Sequence, residues 1–441
     1  MELISRWRAR FCAGAATHWL IAFLLAAVAA GVWALPSSDG QPPRQPAEAH
    51  WVASWAAAPT EFSELMANPT TAPQAGPGKH VFRGQTLRQL VQPALDGSRV
   101  RVRFSNRFGK APLHIAAASV GLVTGGNAVS PATLGVLRFG GRGSLTIAPG
   151  ADAWSDGLDL QAEAGQTLAV STYLDQPTPF ATIYQRGPGT SWVAPGNAVT
   201  TPRLQGAVPL ALNHIVTGLD VLTSQPARIV VAFGDSITAG GNDAGGGAYP
   251  DMLATRLRDS PKVPAGLSVI NMGIGGNRLL LDSSGPSGMS RFAKDVLAQS
   301  GVTHVIVLMG TNDIGRGAFV DVPGFPLLAS EAPTAERVTE GLEQLIKQAR
   351  AKGVKLMIGT VPPFRNTPYW TAATEAMRGA VNTWIRGRQD VDGVIDFDAV
   401  LRDPADPLAL NPKYDSGDHL HPNKAGHAAM AAAVDLKELL E

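Results

Sequence analysis

The chain has 441 residues, 45% of them hydrophobic and 17% charged, which suits a large buried core spread over two or three domains and excludes disorder and a transmembrane bundle. Its 37 Lys and Arg against 36 Asp and Glu leave a net charge of +1, without the clustered basic residues that a nucleic acid or an anionic membrane surface requires. The only cysteine is Cys12, so the rest of the chain has no disulfide, no thiolate metal site and no cysteine nucleophile.

Residues 1–34 read as a signal peptide. Arg6, Arg8 and Arg10 precede an apolar run from Trp19 to Ala34, which ends Val-Trp-Ala before Leu35-Pro36, so cleavage is expected after Ala34. The run is too short for an ordinary bilayer span, and an uncleaved amino-terminal anchor is the alternative. Either way the remainder is expected to be secreted or periplasmic. Its removal leaves 34 basic and 35 acidic residues, close to neutral. Residues 35–49, rich in Pro, Ser and Gln, read as a flexible linker.

From about residue 50 to 225 short apolar runs are broken by Gly, Pro, Asn and Asp, with almost no helical periodicity. The clearest strand is Arg99 to Phe104, where Val100, Val102 and Phe104 alternate with three arginines; its basic face is expected to be solvated. Further strands are expected over Leu113–Leu122, Gly143–Ile147, Thr167–Leu174 and Ile215–Leu222. The spacing predicts an all-β sandwich or jelly-roll-like accessory domain.

Around Gln225 the texture changes to strands alternating with helices over 226–441. Strands are predicted at Ile229–Phe233, Leu267–Met272, Thr303–Met309, Lys355–Thr360 and Val394–Phe397. Helices are predicted at Pro250–Asp259, Thr334–Lys352, Thr374–Arg388 and Lys424–Leu440. This pattern predicts an α/β domain built on a flavodoxin-like, doubly wound parallel sheet, with its crevice at the carboxyl ends of the strands.

The sequence is organised around Arg228 to Gly241, where a continuously apolar run stops at Gly234-Asp235-Ser236. Ser236 is either a helix cap or a crevice-facing hydroxyl. Three other crevice-facing stretches favour the hydroxyl: Asn271-Met272-Gly273-Ile274-Gly275-Gly276, Gly310-Thr311-Asn312-Asp313, and Asp415 to Asn423 with Asp418 and His421. A serine nucleophile needs a base, for which His421 is the candidate, and a carboxylate to orient that base, for which Asp418 stands three residues earlier. Negative charge on a carbonyl oxygen needs fixed donors, which the backbone N–H of Ser236, the backbone N–H of Gly276 and the Asn312 amide can supply. Asp235 and Asp313 are read as bracing their turns, and His419 and His427 as a rim residue and a helix-surface residue.

These four blocks resemble, in order and spacing, those of the SGNH/GDSL hydrolases. The resemblance covers 227–441 and implies a serine esterase in which Ser236, Asp418 and His421 are catalytic. It also implies an oxyanion hole of Ser236, Gly276 and Asn312. Trp51-Val52-Ala53-Ser54-Trp55-Ala56 and Gly84 to Val91 are similar to secreted XynE-like esterases, which implies a carbohydrate acetylesterase or arylesterase acting on a small ester or acylated carbohydrate. The alternatives are a short-chain lipase or lysophospholipase of the same family, and a carbohydrate-binding module with an inert hydrolase half. A metal-dependent phosphoesterase that used the Asp and His residues as ligands is disfavoured by the small number of histidines. No cofactor or metal is expected.

Overall fold

The computed structural model describes residues 48–62, 80–184, 191–210, 212–240, 247–260, 266–320, 322 and 331–440. The expected signal peptide and nearly all of the expected linker lie outside them. Residues Glu48–Glu441 form one compact unit.

Every described element between His50 and Thr223 is a strand. The principal ones are β1 (His50–Ala56), β2 (Gln85–Val91), β3 (Gly97–Ser105), β4 (Ala117–Gly125), β5 (Leu168–Leu174), β6 (Ser191–Pro195) and β7 (Val216–Thr223). One antiparallel sheet runs β1-β7-β3, and a second runs β6-β2-β5-β4, each with short strands added. Alternation along the strands drives their packing. Val100, Val102 and Phe104 of β3, Leu87 and Val91 of β2, and Leu168 and Val170 of β5 are buried in one apolar core.

The basic face of β3 is solvated at Arg99, whose side chain is 42% exposed beside Asp159, but not at Arg101 and Arg103 as the alternation suggests. Arg103 is 8% exposed and donates to Thr217, and the Arg101 guanidinium lies 4.9 Å and 4.6 Å from the Trp51 and Trp154 ring centres. Arg101 also pairs with Asp220 at 2.6 Å and donates to the Ser300 hydroxyl at 3.1 Å. Arg101 and Arg103 are covered by side chains of the strand-rich half itself, with Ser300 the contact that Arg101 makes to the carboxy-terminal half, and each of these guanidinium groups keeps partners in exchange for its lost water.

Beyond residue 225 the described residues form five strands: β8 (Arg228–Gly234), β9 (Leu267–Gly273), β10 (Val302–Leu308), β11 (Lys355–Gly359) and β12 (Gly393–Ile395). They pair in parallel in the order β9-β8-β10-β11-β12. The register sets Gly234 beside both Gly273 and Leu308, so the chain leaves three adjacent strands at one level. The run of Ile229 to Phe233 is apolar because it is buried on both sides. Val230 and Ala232 face Tyr249, Leu253 and Leu257 of α2 (Tyr249–Asp259), together with Phe397 and Met430. Ile229, Val231 and Phe233 belong to a core with Phe292, Val338, Leu342, Leu345 and Val381, and that core continues into the strand-rich half through Val52. The corner helix between β8 and α2 is α1 (Ser236–Ala239). Later helices are α3 (Gly288–Phe292), α4 (Thr311–Arg316), α5 (Ala335–Ala351), α6 (Ala372–Arg386), α7 (Phe397–Leu401), α8 (Lys424–Ala433) and α9 (Leu436–Leu440). Thr334 caps α5 by accepting from the Arg337 N–H. The single closing helix expected over Lys424–Leu440 is two, broken where the Asp435 side chain accepts from the Lys437 N–H. No helix among the described residues is long and apolar enough to cross a membrane.

Candidate active site

The corner after β8 is shaped by its neighbours. A Cβ on Gly234 would lie 2.7 Å from the Leu308 carbonyl oxygen, and one on Gly273 would lie 2.2 Å from the Ala239 nitrogen, so both positions need glycine to let α1 sit against β9 and β10. Ser236 is not the cap. Asp235 is, accepting from the Ile237 N–H at 3.0 Å, and Ser236 is the first residue of α1. Capping by the preceding aspartate leaves the serine hydroxyl free for another partner.

That partner is His421. Its Nε2 lies 2.8 Å from Ser236 Oγ, and its Nδ1 lies 2.6 Å from Asp418 Oδ2. Asp418 is fixed in turn, because its Oδ1 accepts the His421 N–H at 2.8 Å, the Leu420 N–H at 3.0 Å and the Ser416 hydroxyl at 3.1 Å. Partial burial works to raise the Asp418 pKa; the bonds from the His421 N–H and imidazole and the Leu420 N–H overcome it and hold the carboxyl down at about 2. With Nδ1 held against a carboxylate as donor, Nε2 is left to accept the serine proton. The loop bearing both residues is anchored at its end by Asn423, which caps α8 and donates to the Lys413 and Asp415 carbonyls.

Gly276 adopts φ +68°, where a side chain would be strained, and a Cβ there would meet Ser284 Oγ at 2.6 Å. Asn312 lies in the first turn of α4, 4% exposed. Its Nδ2 donates to the Asn277 carbonyl at 3.0 Å, which joins it to the residue after Gly276 and leaves a second amide hydrogen for another acceptor. The Ile274 N–H donates to the Gly234 carbonyl at 3.1 Å, so the glycine turn and the serine corner are tied as well.

Asp313 is fully buried and accepts from the Leu279 and Leu280 N–H groups at 2.6 and 3.0 Å, bracing the segment after the glycine turn. His419 turns away to pair with Asp415 at 2.6 Å, in keeping with a rim residue. His427 is not on a helix surface: it is 1% exposed, and its Nδ1 accepts from the Tyr249 N–H between α8 and α2. No group of three or more His, Cys, Asp or Glu among the described residues could hold a metal ion.

The motifs did not indicate what Tyr369 does. Its hydroxyl donates to Asn312 Oδ1 at 3.0 Å and so fixes which way the amide faces. The available signal was Gly315, where a Cβ would lie 2.1 Å from the Tyr369 ring, but glycine in a turn has commoner explanations. A cleft of about 900 Å³ runs beside the corner, lined by Trp55, Gln92, Gln166, Ala239, Asn271 and Gly275 among others.

Among solved structures, the acetylxylan esterase Axe2 from Geobacillus stearothermophilus is 20% identical, with 49% of this chain and 94% of that one covered at a TM-score of 0.36. A GDSL-like lipase from Bacteroides thetaiotaomicron is 18% identical, with 48% and 90% covered at a TM-score of 0.34. No curated protein matches. Residues 232–429, the span that holds all four blocks, match the model of the GDSL-like Lipase/Acylhydrolase family, and this part of the chain is a carboxylic ester hydrolase domain of that kind.

Proposed function

We propose that the protein is a serine esterase working through an acyl-enzyme on short acyl groups carried by a carbohydrate or an aryl alcohol. The observation that carries the reading is the unbroken relay from Ser236 Oγ through His421 to Asp418, at 2.8 and 2.6 Å. Ser236 Oγ attacks the ester carbon while His421 Nε2 takes its proton, and Asp418 stabilises the imidazolium that forms. The oxyanion is met by the backbone N–H groups of Ser236 and Gly276 and the free amide hydrogen of Asn312. Collapse expels the alcohol with the proton from His421; water, activated by the same base, then attacks the acyl-enzyme and releases the acid. Ser236 at the amino end of α1 adds the partial charge of the first N–H groups. The substrate class is supported by the resemblance at Trp51–Ala56 and Gly84–Val91.

The test is hydrolysis of aryl esters of increasing acyl length, and acetate release from acetylated xylan, by the wild type and Ser236→Ala. Ser236→Ala is expected to lower kcat by at least about 10³-fold. Undiminished cleavage by Ser236→Ala would refute the serine mechanism. No cleavage by the wild type would favour a binding module, and a maximum at long chains would favour a lipase.

A further inference from the structure

We propose that the strand-rich half takes part in catalysis by positioning the oxyanion loop, through a buried relay from Arg107 to Asp295 to Arg291; this rests on the serine-esterase reading above. Arg107 follows β3 on a loop that its own half holds in place: Asn106 donates to the Ala111 and Ile147 carbonyls, and the Phe108 N–H bonds Thr182. From there Arg107 Nη1 reaches Asp295 Oδ1 at 2.6 Å, across to a π-helical turn (Ala293–Leu297) of the other half. Asp295 is 1% exposed, and its second oxygen takes Arg291 Nη1 at 3.2 Å.

Arg291 is 2% exposed and stacks 4.0 Å from the Phe233 ring centre. Its other bonds all go to the crevice loops. Nη2 donates to the Gly234 carbonyl, directly before Asp235-Ser236, at 2.8 Å; Nη1 donates to the Met272 carbonyl at 2.8 Å; and Nε donates to Asn277 Oδ1 at 2.9 Å. One guanidinium therefore holds the serine corner, the end of β9 and the residue after Gly276, and that residue's carbonyl accepts the Asn312 amide. The fork is rigid, so its orientation sets the spacing of those three segments. Asp295 holds the fork, and Arg107 keeps one Asp295 oxygen engaged. Without Arg107 that buried carboxylate has an unpaired oxygen and closes further onto Arg291, drawing Nη1 from the Met272 carbonyl.

A second bridge between the halves supplies the control. Arg101 pairs with Asp220 and donates to Ser300, joining the two halves without touching a crevice loop. The experiment compares Arg107→Met, Arg107→Lys and Arg101→Met in the full chain, measuring kcat and KM for an aryl acetate together with thermal midpoints. Arg107→Met is expected to lower kcat about tenfold with KM within about twofold, because a misplaced donor weakens the transition state more than ground-state binding. Arg107→Lys, which keeps a charged donor, restores kcat to within about threefold. Arg101→Met keeps the wild-type kcat despite a lower midpoint. Equal kcat in Arg107→Met and Arg101→Met overturns the proposal. If Arg107→Met yields no folded protein, Asp295→Asn takes its place, with the same loss expected and an unchanged kcat overturning the proposal. An inactive wild type, or an active Ser236→Ala, removes the esterase reading itself; an active wild type, a dead Ser236→Ala and a fully active Arg107→Met remove only the positioning role.

Discussion

Asp418 and Asp313 sit at the same crevice and face opposite demands. Asp418 holds an imidazole and two backbone N–H groups at the rim, and a pKa near 2 keeps it ionised throughout the neutral range. Asp313 is buried among backbone donors; burial pushes its pKa up, and the Leu279 and Leu280 N–H groups oppose the rise. Asp418→Asn offers His421 an amide that favours the wrong tautomer, and is expected to lower kcat about 10³–10⁴-fold with little change in stability. Asp313→Asn instead turns an amide donor toward one of two N–H groups and is expected to cost about 1–3 kcal/mol of stability with a much smaller loss of kcat. Steady-state rates and urea unfolding of both variants check this, and the reverse ranking of kcat would remove Asp418 from its role. The three residues that meet in the hydrogen-bonded chain Ser236–His421–Asp418 were legible because chemistry restricts which types can pair with a serine hydroxyl at that offset. The bond from Tyr369 to Asn312 was not legible, because a hydroxyl that steers an amide 57 residues away leaves no spacing to read.

The corner joining β8 to α1 is the element on which the site turns, and it carries a cost at Asp235. Its carboxyl is fully buried, and burial raises its pKa to about 6, against the pull of the Ile237 N–H. A carboxyl whose folded pKa exceeds its ordinary 3.8 takes up a proton on folding, so the stabilisation is present below about pH 4 and is lost as pH rises through 6. The span is worth about 3 kcal/mol. Asp235→Asn keeps the cap acceptor and cannot titrate. Its stability relative to wild type is therefore expected to rise by about 3 kcal/mol between pH 4 and pH 7, read by urea unfolding across that range. A difference that stays flat with pH would show that Asp235 is not the buried acid described. Long periodic elements were legible: α5 starts at its Thr334 cap, and β8 is one apolar run. Short ones were not. α4 opens on Gly310 at φ +119° through Gly-Thr-Asn-Asp, residues that read as a turn, and the π-helical turn at Ala293 has no sequence signature.

At the scale of the whole molecule, the shift in texture near Gln225 marks where strand-only sequence gives way to alternating strands and helices. It does not mark a gap in the core. Val52 packs near Gly301, the Ala53 N–H donates to the Ser300 carbonyl, and Arg101 and Arg107 both cross to the other half. The arginines of β3 read as a solvated face because alternation reports which side of a strand is apolar, not what covers the other side. Trp51 and Trp154 stacked on Arg101 show that the cover is protein. Neither half can keep these groups buried alone: separation would expose the continuous apolar cluster and leave Asp220 and Asp295 without their cross-half partners. Residues 48–441 are therefore expected to unfold in one cooperative transition, with calorimetric and van't Hoff enthalpies in a ratio near one. Ester hydrolysis should disappear over the same temperature interval as the heat absorption. Two resolved transitions, with activity lost only in the second, would make the strand-rich half an independent module and the bridges between the halves dispensable to the site.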